Sequence, residues 1–313
     1  MSLRVKNVVK RLCPDVEDYS IDEVFLDFTG ITTQNIESAC RDIVRIIRQG
    51  LDLPISIGVA PTKTLAKAAC KFAKKYKGYR GVCMIDTEEK REKALRLYDI
   101  EDIWGIGRQY TKKLRRRGIH TAYDLTRMPI AWIRKEMTVV GERTVRELLG
   151  QPCIQMETQA PPKKNIMVSR SFGTMIPDFN TIAEAVVTYE CMAAAKLRKQ
   201  KSKAKALYLF LHTNPFREDL PQYYIDTVIN LPVATSSSIE LAKFTKYALK
   251  KIFKNGFMYK KAGVMMMDIS PDNPLQLNLL DSLDRKKHDR LMQVIDKLNS
   301  KYGRNSVSLA AQG

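Results

Sequence analysis

Two neighbouring carboxylates, Asp22 and Glu23, lie in an otherwise apolar segment, YSIDEVFLDFTG, at residues 19–30. The segment is typical of a β-strand, in which successive side chains point to opposite faces, so a straight strand would send one carboxylate into the core. Burying an ionised carboxylate without a partner is costly. We therefore expect the pair at a strand end or hairpin turn, where both groups can reach one site. A solvated hairpin tip is the alternative.

A row of lysines follows in PTKTLAKAACKFAKKYKG, residues 61–78. Lys63, Lys67, Lys71 and Lys74 recur at intervals of four, four and three residues. This spacing predicts a helix with the lysines on one face and apolar residues on the other. Because four like charges in one row repel each other, an anionic partner would stabilise the helix. A solvated lysine face is the alternative.

A glycine turn, Gly105-Ile106-Gly107, opens a second basic segment. Glycines allow the backbone N–H groups at a helix N-terminus to approach a phosphate closely. Together with a closing Gly118-Ile119, the pattern is typical of a helix–hairpin–helix, which contacts a duplex backbone without reading sequence. An ordinary glycine-turned hairpin is the alternative. The basic side chains after the turn are Arg108, Lys112, Lys113, Arg115, Arg116 and Arg117.

Two further segments could bind partners. Lys260 and Lys261 precede a predicted strand and are candidate contacts to a nucleic-acid backbone. The segment QLNLL follows two prolines, Pro271 and Pro274, and is expected to be exposed and extended. Exposed apolar residues in an extended segment favour a docking peptide, whereas packing on its own domain is the alternative. The residues of this segment are Gln276, Leu277, Asn278, Leu279 and Leu280.

Composition is consistent with binding to nucleic acid. The 313 residues include 53 Lys and Arg against 34 Asp and Glu, a net charge of +19, which favours a polyanionic partner. The sequence has no long apolar run, and its first residues lack the apolar core of a secretory signal, so we expect a cytoplasmic protein. The six cysteines are scattered and none is in C-x-x-C spacing, which argues against a zinc site.

The predicted elements indicate an α+β protein with more than one domain. Strands and helices interleave up to residue 87, with a helix at 35–50, a strand at 55–60, a helix at about 64–76 and a strand at 81–85. Short helices with glycine turns follow to residue 150, and strands and helices alternate again over residues 165–270. Residues 151–164, QPCIQMETQAPPKK, are expected to form a linker. A final amphipathic helix carries an apolar stripe of Leu291, Val294, Ile295 and Leu298.

The motifs YSIDE, APTKTLAK, WGIGR and SRSFG occur in this order, and together they resemble the Y-family translesion DNA polymerases. The resemblance covers essentially the whole chain and is strongest to the bacterial polymerase V branch, through ERTVRELLGQPC, residues 259–265 and QLNL. It implies a partial palm at residues 1–87, a thumb with the helix–hairpin–helix at 88–150, a linker at 151–163, an α/β little finger at 164–270 and a tail at 271–313.

The resemblance also implies roles for individual residues. Asp22 and Glu23 would be catalytic, as two of three palm carboxylates that bind two Mg²⁺ ions, and Lys74 would contact the incoming triphosphate. Two such ions activate the primer 3′-hydroxyl and stabilise the leaving pyrophosphate. The DNA contacts would be Lys63, Lys67, Gly105, Ile106, Gly107, Arg108, Lys112, Arg170, Lys260 and Lys261.

Several partners are implied in the same way. They are primer–template DNA, deoxynucleoside triphosphates, a UmuD′-type accessory subunit and RecA, in the SOS response to DNA damage. Residues 276–280 resemble a sliding-clamp-binding peptide. Leu280 stands where an aromatic residue is more usual, which brings the affinity for a clamp into question.

One departure from the family pattern changes the expectation for this chain. The family begins with a palm strand that carries the first metal-binding aspartate, followed by the fingers, and the sequence contains neither; it also stops short of the family's C-terminal end. We expect a truncated chain that binds DNA, holds Mg²⁺ poorly and does not extend a primer by itself. The alternatives are a non-catalytic helix–hairpin–helix scaffold for DNA repair and an interaction subunit that acts through its tail.

Overall fold

The computed structural model describes residues 1–13, 15–157, 161–272 and 283–313. The chain divides into two compact units, residues 1–160 and residues 161–313. In the described part of the chain, no helix is both long and apolar enough to cross a membrane.

The first half of unit 1 consists of short strands and longer helices. Its elements are α1 (Ser2–Leu12), β1 (Val16–Asp18), β2 (Val24–Leu26), α2 (Thr33–Leu51), β3 (Ile57–Val59), α3 (Lys63–Lys75) and β4 (Val82–Met84). β1 and β2 pair antiparallel, whereas β3 and β4 pair parallel. The predicted helix at 35–50, the helix at 64–76 and the strands at 55–60 and 81–85 are confirmed; α1 was not predicted.

Helix α3 packs closely against β3. A Cβ atom at Gly58 would lie 2.1 Å from the carbonyl oxygen of Ala66, so no larger residue fits at this position without moving the helix. The apolar face of α3, which includes Leu65, Ala69 and Phe72, is buried. This packing fixes the lysine-bearing face of α3 relative to β3.

The second half of unit 1 is helical, with α4 (Glu88–Leu97), α5 (Arg108–Arg115), α6 (Ala122–Thr126) and α7 (Ile130–Leu148). Its core joins that of α3, through buried side chains such as Ile103, Leu114 and Ile133. Helix α7 is interrupted at Thr138, whose φ of 65° and ψ of −175° are not helical. We expected only short helices here, and the kinked α7 corrects that expectation.

The start of the predicted linker is anchored to unit 1. Glu147 is fully buried and accepts hydrogen bonds from the backbone N–H groups of Thr64, Cys153 and Ile154, at 3.0, 2.7 and 3.1 Å. The N–H group of Glu157 donates to Glu17 at 2.7 Å. Residues 153–157 are therefore held by buried carboxylates and do not behave as a free tether.

Unit 2 is a four-stranded antiparallel sheet with helices packed on one face. Its elements are β5 (Ile166–Ile176), α8 (Phe179–Lys199), β6 (Ser202–Thr213), β7 (Tyr224–Thr235), α9 (Ser238–Ile252), β8 (Tyr259–Pro271) and α10 (Arg285–Tyr302), and the strand order is β5-β8-β6-β7. Strand β7 was not predicted from the sequence. Leu207, Leu209 and Leu211 alternate with outward residues on β6 and face the helices.

Helix α10 packs against the rest of unit 2 through polar contacts and through Met292, which is 1% exposed. Arg198 of α8 binds Asp296 at 2.7 Å, and Ser237 lies 3.1 Å from His288. Leu291 and Val294, two residues of the predicted apolar stripe, are 43% and 52% exposed. The prediction of the helix is confirmed, but these two residues do not form its packed face.

Candidate active site and nucleic-acid interface

The two carboxylates of the YSIDE motif lie in the hairpin turn between β1 and β2. The turn is closed by a hydrogen bond from the N–H group of Ser20 to the carbonyl oxygen of Glu23, at 3.1 Å. The hydroxyl of Ser20 donates to Asp22 Oδ1 at 2.8 Å. Both carboxylates are exposed. The expectation of a hairpin turn is confirmed, and the turn resolves the conflict with strand alternation.

A cation already lies on this turn. Lys67 Nζ of α3 donates to Glu23 Oε1 at 2.6 Å. The same ammonium lies 5.0 Å from the ring centroid of Tyr19 and 5.7 Å from that of Trp104. Glu23 therefore accommodates a positive charge at one of its oxygens.

Lys67 lies beside two of three aromatic rings that contact one another. Tyr19 and Trp104 meet edge to face with centroids 5.3 Å apart, and Tyr19 and Phe25 do so at 5.4 Å. The indole N–H of Trp104 donates to the hydroxyl of Tyr19 at 2.8 Å. We call Tyr19, Phe25 and Trp104 the aromatic cluster. The cluster was not predicted from the sequence, although Tyr19 begins the first motif and Trp104 directly precedes the glycine turn.

Lys63 occupies a different environment from the one expected of a DNA contact. Its side chain is 8% exposed and forms an ion pair with the equally buried Glu17 at 2.5 Å. It also donates to the carbonyl oxygen of Gln155 at 2.7 Å. Because Lys63 is buried and fully partnered, it is not available to a nucleic-acid backbone in this arrangement.

The remaining lysines of α3 also differ from one another. Lys71 forms an ion pair with Asp102, whereas Lys74 is exposed and has no acidic partner in the described ranges. Lys67 and Lys74 are seven residues apart, so they lie on nearly the same side of the helix with Cα atoms about 10 Å apart. In the part of the chain that the structure describes, the predicted row of four lysines therefore consists of three paired cations and one without an acidic partner.

The carboxylates of the turn fit a divalent cation as part of a larger site. Asp22 and Glu23 offer carboxylate oxygens, the ligands that Mg²⁺ prefers in proteins, and Glu23 already contacts an ammonium. Asp27 accepts two hydrogen bonds from Thr29, which lower the pKa of Asp27. Over the described ranges, no group of three acidic, histidine or cysteine residues is arranged to hold a metal ion.

An apolar cavity of about 710 Å³ adjoins the turn. It is lined by β2 and β3, by α1 and α2, and by both Asp22 and Glu23. Among the described strands, β2 pairs only with β1 and β3 only with β4. Each of the two strands that line the cavity therefore has one edge without a strand partner in the described structure.

The glycine turn adopts the conformation that its composition requires. Gly105 has a φ of +91°, a value that other residues rarely adopt. Ile106 is 6% exposed and anchors the turn in the core, while Gly105 and Gly107 are exposed. Gly107 directly precedes the first residue of α5, so its exposed backbone lies at the N-terminus of that helix.

The basic residues after the turn fall into two classes. Ion pairs engage Lys113 and Arg117 with Glu136, and Arg115 with Asp99. The second class has no acidic partner in the described residues, and consists of Arg108, Lys112 and Arg116. A spacing of four places these three on one side of the helix, which we call the unpaired face of α5. The sequence motifs alone do not separate the two classes, because the acidic partners come from other segments.

The candidate residues of unit 2 do not share one face of the sheet. Lys260 donates to the carbonyl oxygens of Phe172 and Gly173, at 2.6 and 3.1 Å. Lys261, the next residue, points to the face without helices, with Nζ 5.9 Å from the ring centroid of Phe210. Arg170 is exposed and pairs in register with Ala262 of β8. Lys261 is thus the candidate DNA contact on the face of the sheet without helices. The predicted docking peptide, residues 276–280, lies outside the described residues.

Comparisons with known proteins point to one family. The model of the impB/mucB/samB family matches residues 1–71, and that of its C-terminal domain matches residues 163–279. A domain of unknown function, DUF4113, matches residues 289–313. Protein UmuC of Salmonella typhimurium strain LT2 is 38% identical over 316 residues, covering 100% of this chain and 75% of UmuC.

Other relatives and solved structures agree. Protein MucB of Escherichia coli is 36% identical over 315 residues, covering 100% of this chain and 74% of MucB. A solved structure titled "Y-family DNA polymerase chimera Dbh-Dpo4(243-245)-Dbh" is similar, with a TM-score of 0.65, 20% identity and coverage of 86% of this chain and 75% of that one. An insertion ternary complex of Dbh DNA polymerase has a TM-score of 0.51, 19% identity and the same coverage.

Proposed function

Since the chain belongs to the impB/mucB/samB family of Y-family DNA polymerases, we propose that its acidic turn is part of the site of template-directed nucleotidyl transfer past damaged bases. The observation that carries this proposal is the exposed turn that presents Asp22 and Glu23 together, with Glu23 in contact with a cation of α3. When bound, Mg²⁺ would lower the pKa of the primer 3′-hydroxyl and neutralise the phosphates. Asp22 and Glu23 would hold it, and the exposed Lys74 would bind the triphosphate.

DNA is held by the thumb through its backbone. The exposed glycines of the turn leave room for a phosphate at the N-terminus of α5, and the unpaired face continues along the helix. Backbone contacts of this kind suit a polymerase that must accept any sequence. In unit 2, Lys261 is the candidate contact that lies on the face of the sheet without helices. Arg170 and Lys260 are secondary candidates, because Lys260 already binds two carbonyl oxygens.

The chain by itself is expected to lack polymerase activity. Two carboxylates are too few to hold two metal ions, and the described residues bring no third one to the turn. The apolar cavity beside the turn supports this reasoning, because an additional strand between β2 and β3 would pair with both and could carry a carboxylate to Asp22 and Glu23. The missing ligand would then come from a segment outside the described residues.

A primer-extension assay tests this proposal directly. The 313-residue chain, with Mg²⁺ and all four nucleotides, should give no extension while still binding primer–template DNA. Robust synthesis would refute it. In a catalytically complete polymerase that carries this sequence, replacing both Asp22 and Glu23 with alanine should abolish extension and leave DNA binding nearly intact.

The alternative function is a non-catalytic helix–hairpin–helix module for DNA repair. It predicts that the complete protein gives no primer extension that depends on the turn, and that the double alanine variant matches the parent in both extension and DNA binding, because the turn would then be only a surface loop. The same variant therefore separates the two functions.

The partners of the tail are proposed on the resemblance alone. Residues 276–280 would bind a sliding clamp, and a UmuD′-type subunit and RecA would act with the polymerase. Deleting residues 276–280 should abolish capture of the chain by an immobilised clamp without changing its affinity for DNA. Unchanged capture would contradict the clamp assignment.

A further inference from the structure

Lys67 lies at the contact between the acidic turn and the aromatic cluster. Its ammonium donates to Glu23 at 2.6 Å, and it also lies within cation–π distance of Tyr19 and Trp104. The lysine side chain is 22% exposed and that of Glu23 is 45% exposed. The ion pair is thus partly solvated, and exposed pairs of this kind contribute little to stability.

A divalent ion on Glu23 would compete with this ammonium. A metal ion bound to a carboxylate oxygen lies about 2 Å from it, so it and an ammonium on the same group would be close like charges. Lys67 has an alternative position that needs little movement. The faces of the Tyr19 and Trp104 rings attract a cation, and a flexible four-carbon stem lets the ammonium move toward them.

We propose that Lys67 is a resident counter-cation of the acidic turn, which a divalent metal ion displaces from Glu23 toward the rings of Tyr19 and Trp104. This inference rests on the proposed function, because it needs Glu23 to bind a metal. Lys67 would then have a role other than the DNA contact that the family resemblance implied.

The displacement also reaches the DNA-binding turn. Trp104 is held by its hydrogen bond to Tyr19, and the next residue is Gly105 of the glycine turn. A change of charge beside the indole therefore occurs one residue from the proposed phosphate contact. Because linkage is reciprocal, DNA on the turn and metal on Glu23 would then affect each other's binding.

The test uses the full 313-residue chain with Trp132→Phe, which leaves Trp104 as the single tryptophan. Binding of Mn²⁺ alone is measured by the electron paramagnetic resonance signal of the free ion. The response of Trp104 is measured separately by fluorescence during a titration with Mg²⁺, which does not quench paramagnetically. Weak binding, at millimolar Mn²⁺, is sufficient for both measurements.

Two lysine variants provide the comparison. Lys67→Met should tighten Mn²⁺ binding about twofold to fivefold, the range that exposed ion pairs span, and should reduce the fluorescence response. Lys75→Met removes the same charge from the same helix, but Lys75 contacts Tyr76 instead of the turn, so it should leave both measurements unchanged. Glu23→Gln should abolish the fluorescence response.

The outcomes distinguish this inference from the proposed function. Mn²⁺ binding without a Trp104 response, or equal affinities in the Lys67→Met and Lys75→Met variants, overturns the displacement while leaving the metal site in place. If no Mn²⁺ binds at all, the metal-binding role of Asp22 and Glu23 fails, and the displacement fails with it. Tighter binding in the Lys67→Met variant supports the inference, because a merely structural lysine would weaken the site when removed.

Discussion

The unpaired face of α5 makes a quantitative prediction about DNA binding. Each phosphate neutralised on duplex DNA contributes about 0.9 to the slope of log affinity against log salt. Replacing Arg108, Lys112 and Arg116 with alanine removes three cations that have no acidic partner in the described structure. If all three side chains contact phosphates, the magnitude of the slope falls by about 2.7 in the variant. Across a fourfold rise in salt concentration, the factor by which affinity decreases is then about 40-fold smaller for the variant than for the parent chain.

The matched control removes an equal charge from the same segment. Alanine at Lys113, Arg115 and Arg117 abolishes cations that are already paired with Glu136 or Asp99, and should change the slope by much less. The assay is fluorescence anisotropy of a labelled primer–template duplex at a series of salt concentrations. Equal slope changes in the two triple variants would refute the reasoning, since they would show that only net charge matters.

Three further predictions concern stability. Lys63→Ala should lower the free energy of unfolding of unit 1 by about 3 kcal/mol, because it leaves buried Glu17 without its partner. The salt dependence of DNA binding should stay unchanged. A weaker salt dependence would show that Lys63 contacts DNA. Glu147→Ala should lower the free energy of unfolding, measured with urea, by about 3 kcal/mol, because it removes the acceptor of three backbone N–H groups. A change near zero would contradict the anchoring of residues 153–157. Burial raises the pKa of Glu190 well above its ordinary value of 4.5. This carboxyl therefore binds a proton more tightly in the folded state than in the unfolded state. Its contribution to the stability of unit 2 is present below about pH 4.5 and is lost as pH rises above it. Glu190→Gln should therefore flatten the decrease in stability as pH rises above about 4.5, and an unchanged decrease would contradict the assignment.

The periodic elements could be predicted because their patterns are local. The alternation of apolar residues and the spacing of lysines were sufficient to predict α2, α3, β3 and β4, and the conflict between strand alternation and two adjacent carboxylates was sufficient to place the turn. Strand β7 (Tyr224–Thr235), which was not predicted, alternates more exposed and more buried residues through much of its length, and this period of two is typical of a strand.

The pairing of charges could not be predicted, because it depends on contacts between distant segments. Lys63 and Lys67 are one helical turn apart and carry the same charge, yet one is buried against Glu17 and the other lies on the exposed turn. Likewise, the unpaired face of α5 is defined by where Asp99 and Glu136 lie in the fold. The aromatic cluster joins residues 85 positions apart, and nothing in the sequence near Trp104 specifies Tyr19 as its partner.

The spacing of the unpaired face has a consequence for movement along DNA. Its cations repeat every four residues, close to one turn of the helix and a rise of about 6 Å. A duplex that advances past such a face meets a similar arrangement of charge after each short step, and contacts to the backbone do not depend on which bases pass. If the unpaired face binds the duplex as proposed, an energy profile of this kind would have only shallow barriers, and the contacts that retain the duplex would also let it move.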